Sequence, residues 1–247
     1  MHKSLYGLKQ APRQWFAKLT SSLLSFGFIQ SKADYSLFTL QQNAGYIAVF
    51  VYVDDLLFTG SNLSLIQQFK THLYKWLHMK DLGDLKYFLR IEVVRSKQGI
   101  FLSQRKYVLD LLKETGMSNT KPVYLPMDPN MSLSHEDGEL MSAPDKYRRL
   151  VGKLIYLTIT RPDITYTVHV LSQFMQAPTI THYTTAFRVL RYLKNYPGQG
   201  VLLSSAFAPF LNVYCDSDWG RCPDSRKSVT VSYLVIPLSH GNLRNSL

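Results

Sequence analysis

Cysteine is almost absent: Cys215 and Cys222 are the only two in 247 residues. That excludes a disulfide framework, and no Cys/His cluster has the spacing of a zinc site. Long apolar runs are also missing. None approaches the ~18 residues that suggest a membrane span, and the N-terminus lacks the charged-then-apolar pattern of a signal peptide. The expectation is an intracellular, soluble protein without a membrane partner. Acidic residues are scarce as well: 17 Asp+Glu stand against 28 Lys+Arg, a net charge of +11. Met1 to Ala33 and Ile164 to Cys215 contain no acid at all. This imbalance points to a polyanionic partner, most simply nucleic acid, although basic solubility alone would give the same sum. The seven histidines are scattered, which favours surface or core positions over ligands.

What is present is globular in composition, 46% hydrophobic and 18% charged, long enough for one large or two smaller domains. From Pro12 the apolar residues Phe16, Leu19, Leu23 and Phe26 recur at helical spacing until Gly27. Tyr35 to Leu40, Tyr46 to Val53 and Leu56 to Thr59 read as strands. Asn62 to Met79 reads as an amphipathic helix with Leu65, Ile66, Phe69, Leu73 and Trp76 on one stripe. A strand hairpin turning at Lys97-Gln98-Gly99 follows, then a helix ending at Gly116. Residues 119–144 are rich in Pro, Ser, Asn and Asp and read as a linker or long loop. Helices are expected over Asp145 to Thr160, Pro162 to Gln176 and Thr181 to Asn195. The last buries Ala186, Val189, Leu190 and Leu193 and turns Arg188, Arg191 and Lys194 outward. Val201 to Ser204 and Leu211 to Asp216 read as strands.

The chemically telling stretch is "FVYVDDLLF", Phe50 to Phe58, where two adjacent carboxylates interrupt an apolar run. Asp is common in turns, so a polar hairpin tip is one explanation. Like charges side by side repel, however, and the flanking strands suggest a buried sheet. A bound divalent cation such as Mg²⁺ would relieve the conflict and would bring phosphoryl-transfer chemistry on nucleotides. Alternating strand geometry makes the two Asp non-equivalent, and a two-metal site calls for a third carboxylate. This stretch alone leaves metal site and plain turn evenly matched.

"YVDD" does not stand alone. "SLYGLKQAPRQWF" (Ser4 to Phe16), "MKDLGDLKYFLRIEV" (Met79 to Val93), the long block from Tyr147 to Lys194 and "YCDSDWGRCPDSRKSVT" (Tyr214 to Thr230) occur in order around it. Together they resemble the reverse transcriptase and the start of ribonuclease H in copia-type LTR retrotransposon Pol polyproteins. The resemblance implies an α+β fold. Residues 1–118 would be a partial palm, an antiparallel sheet with helices, and 145–200 a helical thumb or connection region. Residues 201–247 would be the first strands of a ribonuclease H-like domain with a divergent tail. It implies RNA-directed DNA polymerase chemistry with Mg²⁺ or Mn²⁺ on Asp54 and Asp55. Gly7, Lys9, Gln10 and Pro12 would face nucleotide and template, and Phe88, Leu89, Arg90 and Ile91 the primer end. Asp216, next to Asp218, would be a ribonuclease H metal ligand, and Arg188, Arg191 and Lys194 would track the nucleic-acid backbone. The implied partners are an RNA and DNA template-primer, deoxynucleotides and other parts of a Pol polyprotein, in a cytoplasmic virus-like particle or the nucleus.

Two departures temper these implications. Family members usually carry Gly where this chain has Arg90. They also carry a further metal-binding Asp upstream of "SLYGLKQ", and Met1 lies directly against that block. The expectation is therefore a fragment inactive on its own. The alternative is a non-catalytic nucleic-acid-binding remnant, and an unrelated small α/β binding protein is remote.

Overall fold

The computed structural model describes residues 10–42 and 45–206, and the backbone alone of 212–218 and 229–235. The chain divides into two compact units, one reaching to Leu85 and the other starting at Lys86. The division falls well before residue 118, where the sequence suggested a boundary.

The first unit opens with helix α1, Ala11–Phe26. Pro12 sits in its first turn, where a missing N–H costs nothing. Gly27 ends it at φ 109°, left-handed. The N–H of Phe28 then reaches the Leu23 carbonyl at 3.1 Å and that of Gly27 the Leu24 carbonyl at 3.0 Å, a Schellman ending. Strands β1 (Ile29–Gln30), β2 (Leu37–Gln42), β3 (Gly45–Tyr52) and β4 (Asp55–Gly60) form an antiparallel sheet in that order. Helix α2, Leu63–Trp76, begins at Asn62, whose side chain accepts from the N–H groups of Ser64 and Leu65.

Period-2 alternation decides which face of the sheet is covered. Ile47, Val49 and Val51 of β3 are buried with Phe38, Leu40 and Phe58 against Leu19 and Leu23 of α1. Leu65, Ile66, Phe69 and Leu73 of α2 complete this core. Four large apolar side chains of one helix, at roughly 1.5–3 kcal/mol each for full burial, make α2 a principal contributor to the first unit. Trp76, expected on the same stripe, is instead 53% exposed because the helix ends there.

The second unit combines a sheet and a helical bundle. Strands β5 (Tyr87–Phe88), β6 (Ile91–Ser96) and β7 (Gly99–Ser103) form consecutive hairpins with two-residue connections, Leu89-Arg90 and Lys97-Gln98. Helix α3, Arg105–Glu114, follows, with Gly116 just beyond it at φ 71°. Helices α4 (Pro144–Leu157), α5 (Thr165–Ser172) and α6 (Ile180–Asn195) complete the bundle. Its core includes Leu111, Tyr147, Leu154, Ile164, Leu171 and Val189. The helix expected over Pro162 to Gln176 is a short 3-10 turn, Pro162–Ile164, leading into α5.

Strand β8, Gly200–Ser204, pairs with β7. It therefore belongs to the sheet of β5 to β7, not to the ribonuclease H-like segment expected to start at 201. Strands β9 (Asn212–Asp218) and β10 (Val229–Val235) pair with each other. Residues 119–143 hold no helix or strand beyond an isolated bridge between Leu140 and Thr179, yet they are no free linker. Met127 and Leu133 are buried in the bundle core. Among the described residues no helix is long and apolar enough to cross a membrane.

Candidate functional site

The ladder between β3 and β4 ends at the pair Tyr52 and Asp55. The turn is therefore Val53-Asp54, only two residues long. Val53 has φ 53° while Asp54 keeps a negative φ, the φ pattern of a type II′ hairpin turn, whose first central position prefers glycine. A β-branched residue there is a strained outlier, costing of order 1–3 kcal/mol. Strain of this kind persists only where the flanking structure fixes the chain, and the buried ladder of β3 and β4 does so. Val53 is 70% exposed, so packing of its own side chain does not explain the conformation.

Asp54 and Asp55 are both exposed at this tip. The expectation of a buried sheet in place of a solvated hairpin tip is corrected: one face is buried, and the tip reaches solvent. The two carboxylates are not equivalent. Asp54 occupies the turn, whereas Asp55 is a strand residue opposite Tyr52 on the sheet face turned away from α1 and α2. Adjacent carboxylates held outward on a strained tip suit a hard cation, whose preferred ligands are oxygens. Among the described residues no group of three metal-ligating side chains forms.

The Phe88 to Ile91 stretch is a second tight hairpin. Phe88 pairs with Ile91, and both connecting residues are left-handed, Leu89 at φ 48° and Arg90 at φ 64°. A type I′ turn requires positive φ at both positions and favours Asn-Gly. This explains why a glycine would be comfortable in place of Arg90. The Arg90 guanidinium lies over the Tyr107 ring, 5.3 Å from its centroid, and the Tyr156 hydroxyl donates to the Leu89 carbonyl. Tyr107 and Tyr156 meet edge to face at 5.6 Å. Burial raises the Tyr107 hydroxyl above its ordinary value, and the Arg90 charge opposes that rise.

The cationic stripe of α6 is engaged with the chain's own backbone. Arg188 Nε donates to the Leu125 carbonyl at 3.3 Å, Arg191 Nε to the Lys121 carbonyl at 2.8 Å, and Lys194 Nζ to the Thr120 carbonyl at 2.6 Å. All three residues are half-buried. They clamp the 120–125 strap along α6, so the stripe is not turned wholly to solvent.

Of the remaining expected residues, Gln10 is the N-cap of α1, and Pro12 lies exposed in its first turn. Gly7 and Lys9 lie outside the described residues. Asp216 and Asp218 fall in β9, of which only the backbone is described. Asp54-Asp55 and the 88–91 turn belong to different units.

Two charge pairs, each with a buried cation, escaped the sequence. Lys70, mostly buried on α2, meets Asp81 at 2.8 Å. That hydrogen bond, with one from the Gly83 N–H, lowers the Asp81 carboxyl. Arg161, 1% exposed, forms a two-pronged pair with Asp163 and donates to the Tyr196 carbonyl. Burial pushes the Asp163 carboxyl up, but hydrogen bonds from Arg161 and Tyr192 outweigh it and leave it lowered. Nothing local in "TRPDI" marks Arg161 as buried; the Arg-x-Asp spacing is the one available hint.

The class of protein follows from comparison with known families. The chain belongs to the reverse transcriptase (RNA-dependent DNA polymerase) family, whose profile matches residues 1–129. More particularly, it corresponds to the reverse transcriptase region of copia-type retrotransposon Pol polyproteins. It is 44% identical over 235 residues to the retrovirus-related Pol polyprotein from transposon RE1 of Arabidopsis thaliana, covering 95% of this chain and 16% of that protein. To the corresponding polyprotein from transposon RE2 it is 42% identical over 240 residues, 97% of this chain and again 16% of the relative. The putative transposon Ty5-1 protein of Saccharomyces cerevisiae is 32% identical over 226 residues, 91% of this chain and 73% of the relative. The chain thus spans 16% of the length of these two polyproteins. No solved structure gives a significant match.

Proposed function

We propose that this chain is part of the catalytic core that adds deoxynucleotides to a primer on an RNA or DNA template. The first unit is a palm portion carrying Asp54 and Asp55 as metal carboxylates. The hairpin at 88–91 faces the primer end, α4 to α6 form the thumb or connection, and Gly7, Lys9, Gln10 and Pro12 face nucleotide and template. The start of a ribonuclease H-like region, with Asp216 on β9, completes the reading.

The observation that carries this reading is the strained tip that turns both aspartates to solvent within the family-matched stretch. A plain connecting turn would gain stability by taking glycine at Val53. Mg²⁺ held there would polarise a phosphoryl oxygen and neutralise developing charge. The chain's part is to hold two acceptor carboxylates at fixed, non-equivalent positions. Two carboxylates are fewer than the site needs, so a third acid must join them, and without it the chain by itself extends primers poorly.

Counting bound Mn²⁺ by electron spin resonance, with template-primer and a deoxynucleotide present, tests the assignment. Bound Mn²⁺ should fall sharply in Asp54→Asn/Asp55→Asn. Equal binding by the variant would sink the metal role. If that occurred while salt-dependent binding of template-primer persisted, the non-catalytic binding remnant would be the better reading.

A further inference from the structure

We infer that Tyr156 is a positioning residue that holds the 88–91 turn in shape for the primer end. The inference rests on the reading of that turn proposed above.

The turn is costly as built. Leu89 and Arg90 both stand at positive φ, without the glycine or asparagine that such a turn favours. The two-residue strand β5 is too short to impose it, since its ladder to β6 consists of Tyr87 with Glu92 and Phe88 with Ile91. Something outside the hairpin must hold it. Two side chains from the bundle do so, one at each strained residue. The Tyr156 hydroxyl, from the last turn of α4, donates to the Leu89 carbonyl. The Tyr107 ring, from α3, lies under the Arg90 guanidinium. Their edge-to-face contact makes one aromatic bracket. Tyr107 is buried and fixed in the bundle core, with Tyr156 packed against that core. The bracket therefore transmits the rigidity of the helices to the turn.

The division of labour follows from chemistry. A carbonyl oxygen accepts in-plane hydrogen bonds, so a hydroxyl at Leu89 fixes the peptide between Leu89 and Arg90. The ring under Arg90 holds its charge by cation–π attraction. Arg90 is exposed overall, so this cation stands in reach of a phosphate. Where a glycine occupied position 90, the turn would need less support.

Tyr156→Phe keeps the ring and removes the hydroxyl. Amide exchange at Leu89 to Ile91 should speed up about fivefold, the effect of losing one hydrogen bond, while the unfolding midpoint of the bundle stays unchanged. Template-primer binding should weaken by a similar factor. Adding Arg90→Gly should restore slow exchange, because glycine takes positive φ freely. Unchanged exchange in Tyr156→Phe would overturn the inference. Faster exchange with unchanged template-primer binding would uphold Tyr156 as the holder of the turn and contradict the primer-end reading instead. If Tyr156→Phe fails to fold, Leu89→Gly decides, because it leaves both the carbonyl that Tyr156 meets and the Arg90–Tyr107 contact in place: slower exchange than wild type supports a strained, externally held turn, and equal or faster exchange refutes it.

Discussion

Tyr52 and Asp55 face each other as the last rung of the β3–β4 ladder, leaving Val53 and Asp54 alone to reverse the chain. Because Val53 stands at φ 53° with an exposed side chain, its replacement removes strain and little packing. Val53→Gly is expected to raise the stability of the first unit by about 1 kcal/mol, the strain relieved less the extra chain entropy of glycine. Urea denaturation of both proteins checks this. A loss of similar size would show that Val53 is comfortable as it stands.

In the second unit, Arg161 is 1% exposed and is neutralised by Asp163. Asp163→Asn leaves a buried guanidinium uncompensated and should cost about 3 kcal/mol. The lowered Asp163 carboxyl also gives a pH signature. Folded protein binds this proton less readily than unfolded protein, so the stabilisation is full above the unfolded pKa of about 3.9 and is lost as pH falls through the folded value. Acid titration of stability should show this component in wild type and not in Asp163→Asn.

Lys70 and Asp81 make the same point in the first unit with an asymmetry. Asp81→Asn strands a mostly buried ammonium and should cost about 1–3 kcal/mol. Lys70→Met removes the charge but keeps the stem and should cost less. Thermal unfolding of the two variants decides the order. Lys70→Met proving the more damaging would mean that the pair itself is the stabilising element.

The α6 clamp predicts a structural phenotype for residues that look like a nucleic-acid track. Replacing Arg188, Arg191 and Lys194 by Ala should expose the strap to trypsin at Lys121. The slope of log affinity against log salt for duplex should stay within one unit of wild type. Three lost phosphate contacts would instead reduce that slope by about 2.7.

Local grammar carried much of this fold into the sequence. Gly27 and Asn62 end and begin helices where their backbone freedom and side-chain oxygen are needed, and strand β3 lies within one residue of its expected span. The aspartate pair was visible because charge inside an apolar run is conspicuous. What stayed hidden depends on partners distant in sequence. The β8 strand finds β7 across the whole bundle, and no periodicity encodes that choice. Arg188, Arg191 and Lys194 looked solvated because helical spacing identifies the face opposite the core; it says nothing of an irregular strap lying on that face. Arg161 sits beside a proline that reads as a helix start, and its burial follows only from the packing of Tyr192 and the Tyr196 carbonyl.

The most direct test grafts this chain into a full-length Pol relative in place of the matching segment and measures primer extension with Mg²⁺. The graft should synthesise DNA. Asp54→Asn or Asp55→Asn within it should reduce the rate about a thousandfold or more, since a catalytic metal supplies several kcal/mol of transition-state stabilisation. Undiminished synthesis by either variant would contradict the assignment of that aspartate to the metal site.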